Sequence, residues 1–400
     1  MKRLWRPALL WIVCLMYVVY QGGKTSIMLL MMVSALMVYW LLCSLIGLRK
    51  MHGTRSLSIE GGQGGQLQAG DQVHVRLRLE QRGWVPHPFI IVREILKRQN
   101  GGSWAFEESM IPRFRSGAEI SFQTPPLERG RYSFAETECS AQDIFGLIKH
   151  TRLFDFKGEF YVLPRTVFIP YWHLADRNSR FAGPENAPAL SRRETTQING
   201  VRDYVYGDRL SRIHWNATAK TGSWKSKEFE HESLPKTILV LDAGQGGYPD
   251  SSAFELAVST AASLLDYSTR ERMSIGLCTL GAAVENFMPA SHIGDRKRML
   301  QHLVDIKADG YGELASRLSG QQALFSPGSF FVLISPRRGK DALEALMWAK
   351  SRRMTPYHIL IGERPKDGGW QVALSSNGFR GIAVPSLQEL PVSMRGGRNE

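Results

Sequence analysis

The first 55 residues contain no aspartate or glutamate, although they carry seven lysines and arginines. The whole chain has 50 basic and 37 acidic residues and a net charge of +13, so the other 345 residues supply only +6. Basic residues concentrated beside apolar runs set the topology of membrane helices and contact anionic lipid headgroups. Because the chain also lacks a recognisable nucleic-acid-binding motif, the charge indicates a membrane partner and argues against nucleic acid.

The sequence is also poor in cysteine, with four residues at positions 14, 43, 139 and 278. Their scatter and the absence of a CxxC pair exclude a disulfide framework or a zinc knuckle, and predict a reducing compartment. The glycine-rich stretch 61–65 lacks the Lys-Ser/Thr pair of a phosphate-binding loop. A chain of 400 residues exceeds what one hydrophobic core usually organises, so two or three folding units are expected.

Two apolar runs lie near the N-terminus. Residues 27–48 hold no charge, and at about 1.5 Å per residue they can cross a hydrocarbon core of about 30 Å. The earlier run is shorter but reaches spanning length over residues 4–22 if Trp5 and Tyr20 lie at the interface. The sequence therefore predicts a transmembrane hairpin within residues 1–52. A signal sequence is the alternative; Met-Lys-Arg at the start favours it, but no A-x-A cleavage site follows.

The charges around these runs predict their orientation. Basic residues lie before the first run and after the second, whereas the turn between them has only Lys24. Under the positive-inside rule both termini are cytoplasmic, in a multi-pass protein of a bacterial cell membrane. The rest of the chain would then lie in the cytosol.

Residues 55–168 are rich in short alternating runs of apolar and polar residues. Examples are residues 73–79, 89–92 and 119–122, which are separated by Gly, Pro and Asn-Gly turn signals. Alternation with a period of two and frequent turns is typical of strands with one buried face. This segment is predicted to be a small β-sandwich, followed by a linker at 169–199.

Three short motifs lie toward the end of this β-rich segment. They are R-G-R-Y at 129–132, D-I-F-G-L at 143–147 and V-L-P-R at 162–165. With the longer motif that follows, they resemble the membrane-associated proteins of the domain-of-unknown-function 58 (DUF58) family. That family has D-P-F-G-L where this chain has Ile144, a local loss of turn rigidity that does not threaten the fold.

The longer motif resembles the core pattern of that family, G-x-R-x-Y-x-x-G-D-x-x-R-x-I-x-W-x-x-x-A-[RK] followed by K-x-F-E-x-E. The matching positions are Gly200, Arg202, Tyr204, Gly207, Asp208, Arg212, Ile213, Trp215, Ala219, Lys220, Lys227, Phe229, Glu230 and Glu232. Residues 200–235 are called the signature segment below.

The residues of the signature segment also predict local structure without the family. Asp208 is suited to cap the N-terminus of a helix, and Gly222 to follow its last turn. Three apolar residues would share one face of that helix: Leu210, Ile213 and Ala217. Trp215 is expected to brace the helix against a neighbour, and residues 224–229 alternate as a strand does.

Charged residues of both signs crowd the signature segment. They include Arg202, Arg212, Lys220, Lys227, Asp208, Glu230 and Glu232. One hypothesis is a structural ion-pair network, a second is a docking or anion-binding surface, and a third is catalysis with Asp208 and His214 as acid and base. Reversing the charges of Arg202 and Arg212 tests docking, and Asp208→Asn tests catalysis.

Residues 236–386 alternate apolar strands with amphipathic helices. Strands are predicted at 237–241, 273–280, 330–335 and 357–361, and helices at 253–269, 295–306 and 341–353. This order predicts a doubly wound α/β domain whose parallel sheet is covered by helices on both faces. Residues 387–400 would form a tail.

Asp242 at the end of the first of these strands resembles the start of a von Willebrand factor A metal site. Such domains hold Mg²⁺ through D-x-S-x-S, a threonine and a later aspartate. Here Gly244 and Gly246 replace the two serines, and Pro336 replaces the later aspartate. We therefore predict a degenerate, metal-free site in which Arg337 neutralises Asp242.

The family resemblance implies partners rather than a reaction. It implies a MoxR-type AAA+ ATPase and a transglutaminase-like membrane protein, and hence a non-enzymatic assembly or docking protein without a cofactor. The alternative is an enzyme of unknown reaction that uses the charged residues of 200–232. An adhesion-like receptor would require the opposite topology.

Overall fold

The computed structural model describes residues 5–46, 51–59, 66–81, 89–111, 118–142, 149–156, 158–172, 198–205, 210–229, 236–321, 324–363 and 368–395. These residues fall into two compact units, Met1–Leu163 and Pro164–Glu400. The chain is a multidomain protein with an N-terminal apolar helix and several sheets. Residues 164–172 belong to the second unit. The β-rich segment predicted at 55–168 therefore ends earlier, at residue 163.

Two apolar helices, α1 (Trp5–Gln21) and α2 (Lys24–Ile46), open the first unit. Gly22 and Gly23 turn the chain between them at positive φ, 60° and 100°, where other residues would be strained. The helices pair side by side, and the Trp11 indole N–H donates to Ser34 Oγ at 2.8 Å. Among the described helices, α2 is long and apolar enough over Lys24–Leu42 to cross a membrane. Helix α1 is also apolar but is shorter, with 17 residues.

The rest of the first unit is built from short strands. They are β1 (Met51–Ile59), β2 (Val73–Gln81), β3 (Phe89–Arg98), β4 (Ser103–Met110), β5 (Ala118–Gln123), β6 (Gly130–Phe134), β7 (Thr137–Gln142), β8 (Lys149–Phe154) and β9 (Glu159–Val162). One sheet has the order β1-β2-β5; in the other, of order β8-β7-β3-β6-β9, β4 also pairs with β3. Alternate residues of β2, including Leu77 and Leu79, are apolar and pack against Ile90 and Val92 of β3. Since β2 and β3 belong to different sheets, these side chains form a core between the two sheets.

Arg55 was counted with the basic membrane flank, and this interpretation is wrong. It lies on β1 with its side chain 4 % exposed, and its Nη2 is 2.7 Å from Glu94 Oε2. Thr137 Oγ1 donates to the other oxygen of Glu94 at 2.6 Å, and Arg55 also lies over the Phe134 ring. This arginine is part of the sandwich interior rather than a contact for lipid.

The signature segment and the α/β region form the second unit. Its strands are β10 (Ile198–Asp203), β11 (Lys225–Phe229), β12 (Thr237–Asp242), β13 (Ile275–Leu280), β14 (Val284–Ala290), β15 (Phe330–Ser335), β16 (Thr355–Ile361) and β17 (Arg380–Val384). Its helices are α3 (Trp215–Thr221), α4 (Ser251–Arg270), α5 (Ile293–Asp305), α6 (Leu314–Ser319), α7 (Lys340–Ser351), α8 (Gly369–Ser376) and α9 (Leu390–Met394).

Six of these strands form a doubly wound sheet with the order β14-β13-β12-β15-β16-β17. Every neighbouring pair is parallel except β13 and β14. Ile238 and Val240 of β12 pack with Leu346 of α7, whereas α4 lies against β12 and β15 and covers the opposite face. The predicted parallel sheet between helices is confirmed; the antiparallel edge strand β14 was not predicted.

Two segments predicted as linker or tail pack into this unit. Trp172 of the predicted linker is buried with its ring at the edge of Tyr267 on α4. Just before the linker, the N–H of Val167, which was predicted to belong to the β-sandwich, donates to Ser263 Oγ at 3.1 Å. Leu390 and Met394 of α9 are buried as well. The start of the predicted 169–199 linker is therefore part of the α/β core and its last two residues belong to β10, so the prediction is wrong at both ends. Residues 173–197 lie outside the described residues.

His358, in the middle of β16, makes folding of the second unit sensitive to acid. It is fully buried, its Nδ1 accepts the Trp370 indole N–H at 3.1 Å, and burial lowers the pKa of its imidazole to about 4. The unfolded chain takes up a proton near pH 6.5, before the folded chain does, so stability is lost as pH falls from about 6.5 to about 4. We expect a loss of roughly 3 kcal/mol over that window, measured by urea unfolding with a probe in this unit.

His358→Asn is the matched control for this prediction, because its amide oxygen can still accept from Trp370 but does not titrate. The variant should lose the pH-dependent part of stability between pH 6.5 and 4. An unchanged pH profile in the variant would assign the acid sensitivity to other groups.

Candidate functional site

Two neighbouring strands of the six-stranded sheet, β12 and β15, end at its topological switch point. The chain leaves β12 toward one edge of the sheet and β15 toward the other. In open parallel sheets the crevice at the carboxyl ends of such strands is where ligands bind. Asp242 is the last residue of β12 and Ser335 the last of β15, so this crevice is the first candidate site.

The Asp242 carboxylate is fully buried and accepts from three groups. The Gly244 N–H donates to Oδ1 at 2.9 Å, and the Ser335 hydroxyl donates to Oδ2 at 2.7 Å. The Arg337 Nε–H donates to the same Oδ2 at 3.0 Å. A buried carboxylate is tolerated when it is paired and hydrogen-bonded in this way.

Arg337 joins Asp242 to the start of α7. Its Nε contacts Asp242, its Nη1 donates to Asp341, and its side chain is 20 % exposed. Burial lowers the pKa of Arg337, but Asp242 and Asp341 outweigh that effect and the pKa is raised from its ordinary value. The predicted neutralisation of Asp242 by Arg337 is confirmed.

The lack of a side chain at Gly244 leaves room for the Arg337 guanidinium. A Cβ at position 244 would lie 2.3 Å from Arg337 Nη2 and 2.9 Å from Asp242 Oδ1, so a serine there would collide with the guanidinium. The glycine in place of the expected serine and Arg337, which follows the proline in place of the later aspartate, therefore belong together. Within the described residues there is no group of three His, Cys, Asp or Glu side chains that could hold a metal ion.

A second loop completes this edge of the sheet. Gly310 forms a bridge with Gly244, its N–H donating to the Ala243 carbonyl at 2.8 Å, and the Gln245 N–H donates to the Gly310 carbonyl at 2.7 Å. Tyr311, the next residue, is 72 % exposed. A loop held by backbone hydrogen bonds thus presents an aromatic side chain beside the closed crevice.

Tyr248 closes the inner side of the crevice. Its hydroxyl donates to the Asp242 carbonyl at 2.5 Å. Burial and then the charge of Asp242 raise the pKa of Tyr248 well above its usual value, while Arg337 acts in the opposite sense. The phenol therefore stays protonated and serves as a donor rather than a base.

In the signature segment, β10 and β11 form an antiparallel ribbon. Asp203 is opposite Lys225 and pairs with it at 2.5 Å, and Arg202 is opposite Ser226. The Tyr204 and Trp224 rings meet edge to face at 5.4 Å. Residues 224–229 were predicted to be a strand, which β11 confirms.

The helix of this segment begins later than predicted. A short 3-10 turn spans Leu210–Arg212, and α3 starts at Trp215 with the His214 imidazole Nδ1 accepting the Ala217 N–H at 3.1 Å. The predicted shared helical face of Leu210, Ile213 and Ala217 is therefore wrong. Gly222 ends α3 at φ 69°, as predicted.

Two further interpretations of this helix are corrected. Trp215 is 64 % exposed, so it does not brace α3 against a neighbour. His214 is the N-cap rather than a surface residue within the helix, and its capping bond leaves it poorly suited to act as a general base. The predicted cap, Asp208, lies outside the described residues, as do Gly207, Glu230 and Glu232.

The predicted charge cluster divides between the two faces of the ribbon. Arg202 shares a face with Ser226 and donates to its neighbour's carbonyl, Asp203 O, at 3.1 Å. Lys227 is opposite Val201 on the other face, and Lys220 is exposed on α3. Since successive strand residues point to opposite sides, Arg202 and Lys227 do not act together. The side chain of Arg212 lies outside the described part of the chain.

The thiols of Cys139 and Cys278 are not nucleophiles. Burial raises the pKa of Cys139 and of Cys278 to about 12, so neither forms a thiolate near neutral pH. Both residues are packed in the cores of their units. Their roles are structural.

The chain therefore has an apolar N-terminal helix, a β-sandwich and a doubly wound α/β sheet. The crevice at the switch point of that sheet is filled by Asp242, Ser335 and Arg337. The model of a protein family described as "Protein of unknown function DUF58" matches residues 200–356. An uncharacterized protein, YeaD of Bacillus subtilis (strain 168), is 25 % identical over 299 residues, 73 % of this chain and 72 % of that protein. The family match runs from the signature segment into β16.

Solved structures give weaker likenesses. Proximal thread matrix protein 1 of the mussel byssus is 16 % identical with a TM-score of 0.31, over 42 % of this chain and 47 % of that one. A von Willebrand factor type A protein from Catenulispora acidiphila is 11 % identical with a TM-score of 0.30, over 41 % of each chain. The alignments span less than half of those proteins, and likenesses of this size assign no function.

Proposed function

We propose that this chain is a membrane-anchored docking protein that faces the cytosol and acts with a MoxR-type AAA+ ATPase. The observation that carries the proposal is the closed crevice at the switch point. Ser335 and Arg337 donate to the Asp242 carboxylate and Asp341 accepts from Arg337, so the protein's own side chains fill the place where a substrate or cofactor would bind. The α/β domain is von Willebrand A-like in its strand order. Because its crevice is filled, we propose that it binds partners through its outer surface.

Tyr311 is proposed as the centre of the docking surface. Exposed aromatic residues on rigid loops are frequent energetic centres of protein interfaces. The loop of Tyr311 is fixed by its bridge to Gly244, so the ring needs little ordering when a partner binds. The ATPase as partner, and a transglutaminase-like membrane protein as a further one, come from the family resemblance.

The proposed anchor is the α1–α2 hairpin, with both helices spanning a bacterial membrane and both termini cytoplasmic. The bond from Trp11 to Ser34 supports two helices that cross together, because a polar group in lipid needs a partner. Removing Arg55 from the basic flank leaves Arg49 and Lys50 after α2, which still favours an inside C-terminus. Alkaline carbonate should leave the chain in the membrane, and protease added to intact cells should spare residues after 50.

Affinity capture of the intact protein from detergent-solubilised membranes tests the docking. With ATP and Mg²⁺ we expect an AAA+ ATPase to be enriched, and Tyr311→Glu to reduce its recovery about ten-fold or more. Met288→Glu is the matched control, since Met288 is 58 % exposed on the edge strand β14, and it should leave recovery unchanged.

Two outcomes would contradict the docking account. Absence of any AAA+ ATPase from the native capture would refute the partner. Equal recovery by native protein and Tyr311→Glu, with loss in an Arg202→Glu/Arg212→Glu variant, would place docking on the signature segment instead.

A further inference from the structure

Strands β6 and β7 follow one another along the same side of β3, with an extra residue at their junction. Leu96 is opposite Phe134 on β6, and Arg93 is opposite Glu138 on β7. Between these two pairs β3 has two residues, whereas the other chain has three, 135–137, which is the arrangement of a β-bulge. Bulges redirect side chains and are frequent beside functional sites.

The bulge directs one side chain into the core and two acids outward. Thr137 is fully buried, and its hydroxyl donates to Glu94 in the sandwich interior. Because successive residues of a strand point to opposite faces, its neighbours Glu136 and Glu138 lie on the outer face. Glu136 is exposed and Glu138 is half-buried.

Two cations lie beside these acids on the outer face of β3. Arg93, Ile95 and Lys97 alternate with the buried residues Glu94 and Leu96, so the first three share the outer face. The two cations therefore flank one apolar side chain. Across the strand gap lie the two acids of β7 and the bulge.

These side chains surround a cavity of about 450 Å³ on the outer face of the sandwich. The two cations and the two acids line it, together with Ile95, Ala135 and Leu153. Its volume lies within the range of small-molecule sites, about 300–1,000 Å³. Within the described part of the chain none of the four charged side chains forms an ion pair, so their charges are available to a ligand.

The two signs of charge are on neighbouring strands, about 4.8 Å apart. A ligand whose carboxylate and ammonium are separated by a similar distance can place the carboxylate above Ile95, between the two cations, and the ammonium above the acids. A dipeptide has this spacing, because its consecutive Cα atoms are about 3.8 Å apart and its charged termini lie beyond them. Its apolar side chain would contact Leu153.

Two further acids border the cavity. Glu107 of β4 is opposite Arg93, and Glu159 of β9 is opposite Ser133, which is itself opposite Lys97. They add negative charge around the cavity, which disfavours a ligand with anionic groups alone. The two cations in the lining disfavour a ligand with cationic groups alone.

We propose that this cavity binds a short zwitterionic peptide, with its carboxylate held by Arg93 and Lys97 and its ammonium by Glu136 and Glu138. The site lies within the first unit. It depends neither on the proposed membrane anchor nor on the proposed docking through Tyr311.

Saturation-transfer difference NMR of the full-length protein in a non-ionic detergent tests the proposal with three peptides. The probes are Ala-Leu, N-acetyl-Ala-Leu, which lacks the ammonium, and Ala-Leu amide, which lacks the carboxylate. We expect saturable binding of Ala-Leu, and binding weaker by about ten-fold or more for each blocked peptide, because each loses hydrogen bonds to charged groups.

Two double variants assign the two ends of the peptide. Arg93→Gln/Lys97→Gln should weaken the binding of Ala-Leu by about ten-fold or more and leave that of Ala-Leu amide unchanged. Glu136→Gln/Glu138→Gln should weaken the binding of Ala-Leu by a similar factor and leave that of N-acetyl-Ala-Leu unchanged.

The matched control is Arg78→Gln/Glu80→Gln, an exposed pair on β2 of the other sheet, which should bind all three peptides as the native chain does. Hydrogen exchange of β3 and β7 checks that each variant is folded. The comparison of the three peptides on the native chain needs no variant.

Three results would overturn the proposal. The first is the absence of saturable Ala-Leu binding to the native chain. The second is Ala-Leu amide binding as tightly as Ala-Leu, which would assign the cavity to cationic ligands. The third is binding of all three peptides with equal affinity, which would leave the charged side chains without a role.

Discussion

Arg337→Met is expected to destabilise the α/β unit by about 3–5 kcal/mol, the usual cost of removing one partner from a buried ion pair. The variant leaves the Asp242 carboxylate fully buried with donors at Gly244 and Ser335 but no cation. Hydrogen exchange in β12 and β15 of the full chain is the measurement. Amides that open with the whole unit should exchange roughly 10²- to 10⁴-fold faster.

Two further variants test the reason for this effect. Asp242→Asn in the Arg337→Met background removes the unpaired charge and should recover most of the lost protection. Arg298→Met is the exposed control, because Arg298 is 4.0 Å from Asp295 with 77 % of its side chain exposed, and it should cost less than about 1 kcal/mol. Native-like exchange in Arg337→Met would mean that Asp242 is neutralised in another way.

Glu94→Ala is expected to have a comparable effect on the β-sandwich, again about 3–5 kcal/mol. The substitution leaves the Arg55 guanidinium, with 4 % of its side chain exposed, without its carboxylate, and removes the acceptor of the Thr137 hydroxyl. The measurement is hydrogen exchange of β3 and β7 in the full chain. These strands flank the pair, so their protection should fall while that of β12 does not.

The matched control is an exposed pair in the same unit. Arg78 and Glu80 lie 3.4 Å apart with side chains 62 % and 50 % exposed, so Arg78→Met should cost less than about 1 kcal/mol. Arg55→Met in the Glu94→Leu background should recover part of the stability, because no unpaired charge remains. A Glu94→Ala variant as stable as Arg78→Met would show that Arg55 does not need this partner.

The closed crevice was predictable because strand order places distant residues together. Asp242 and Arg337 are 95 positions apart, but each follows an apolar run of strand character. Neighbouring parallel strands have their carboxyl ends at the same edge of the sheet. An ion pair between Asp242 and Arg337 was therefore expected at that edge. The sequence could not indicate that Gly244 makes room for the guanidinium, which depends on the local path of the backbone.

The Arg55–Glu94 pair was missed for the opposite reason. Arg55 follows the apolar helix closely in sequence, so its position alone favoured a contact with lipid headgroups. Its partner lies on β3, and the pairing arises only when β1 joins one sheet and β3 the other. Charge counts near a membrane helix cannot distinguish these environments.

Local rules also failed in the signature segment. Asp208 is a better N-cap by residue type than His214, yet α3 starts at Trp215. The competing interaction is the backbone pairing of residues 213 and 214 with β11, which holds them extended. The edge strand β14 was missed because Pro289 and a short, partly exposed run weaken its strand pattern.

Calorimetric titration of the full-length protein with MgCl₂ tests the closed crevice most directly. The account predicts no saturable heat for the native chain, because Arg337 already occupies the charge-balancing position beside Asp242. Saturable one-site binding that disappears in Asp242→Asn would contradict it.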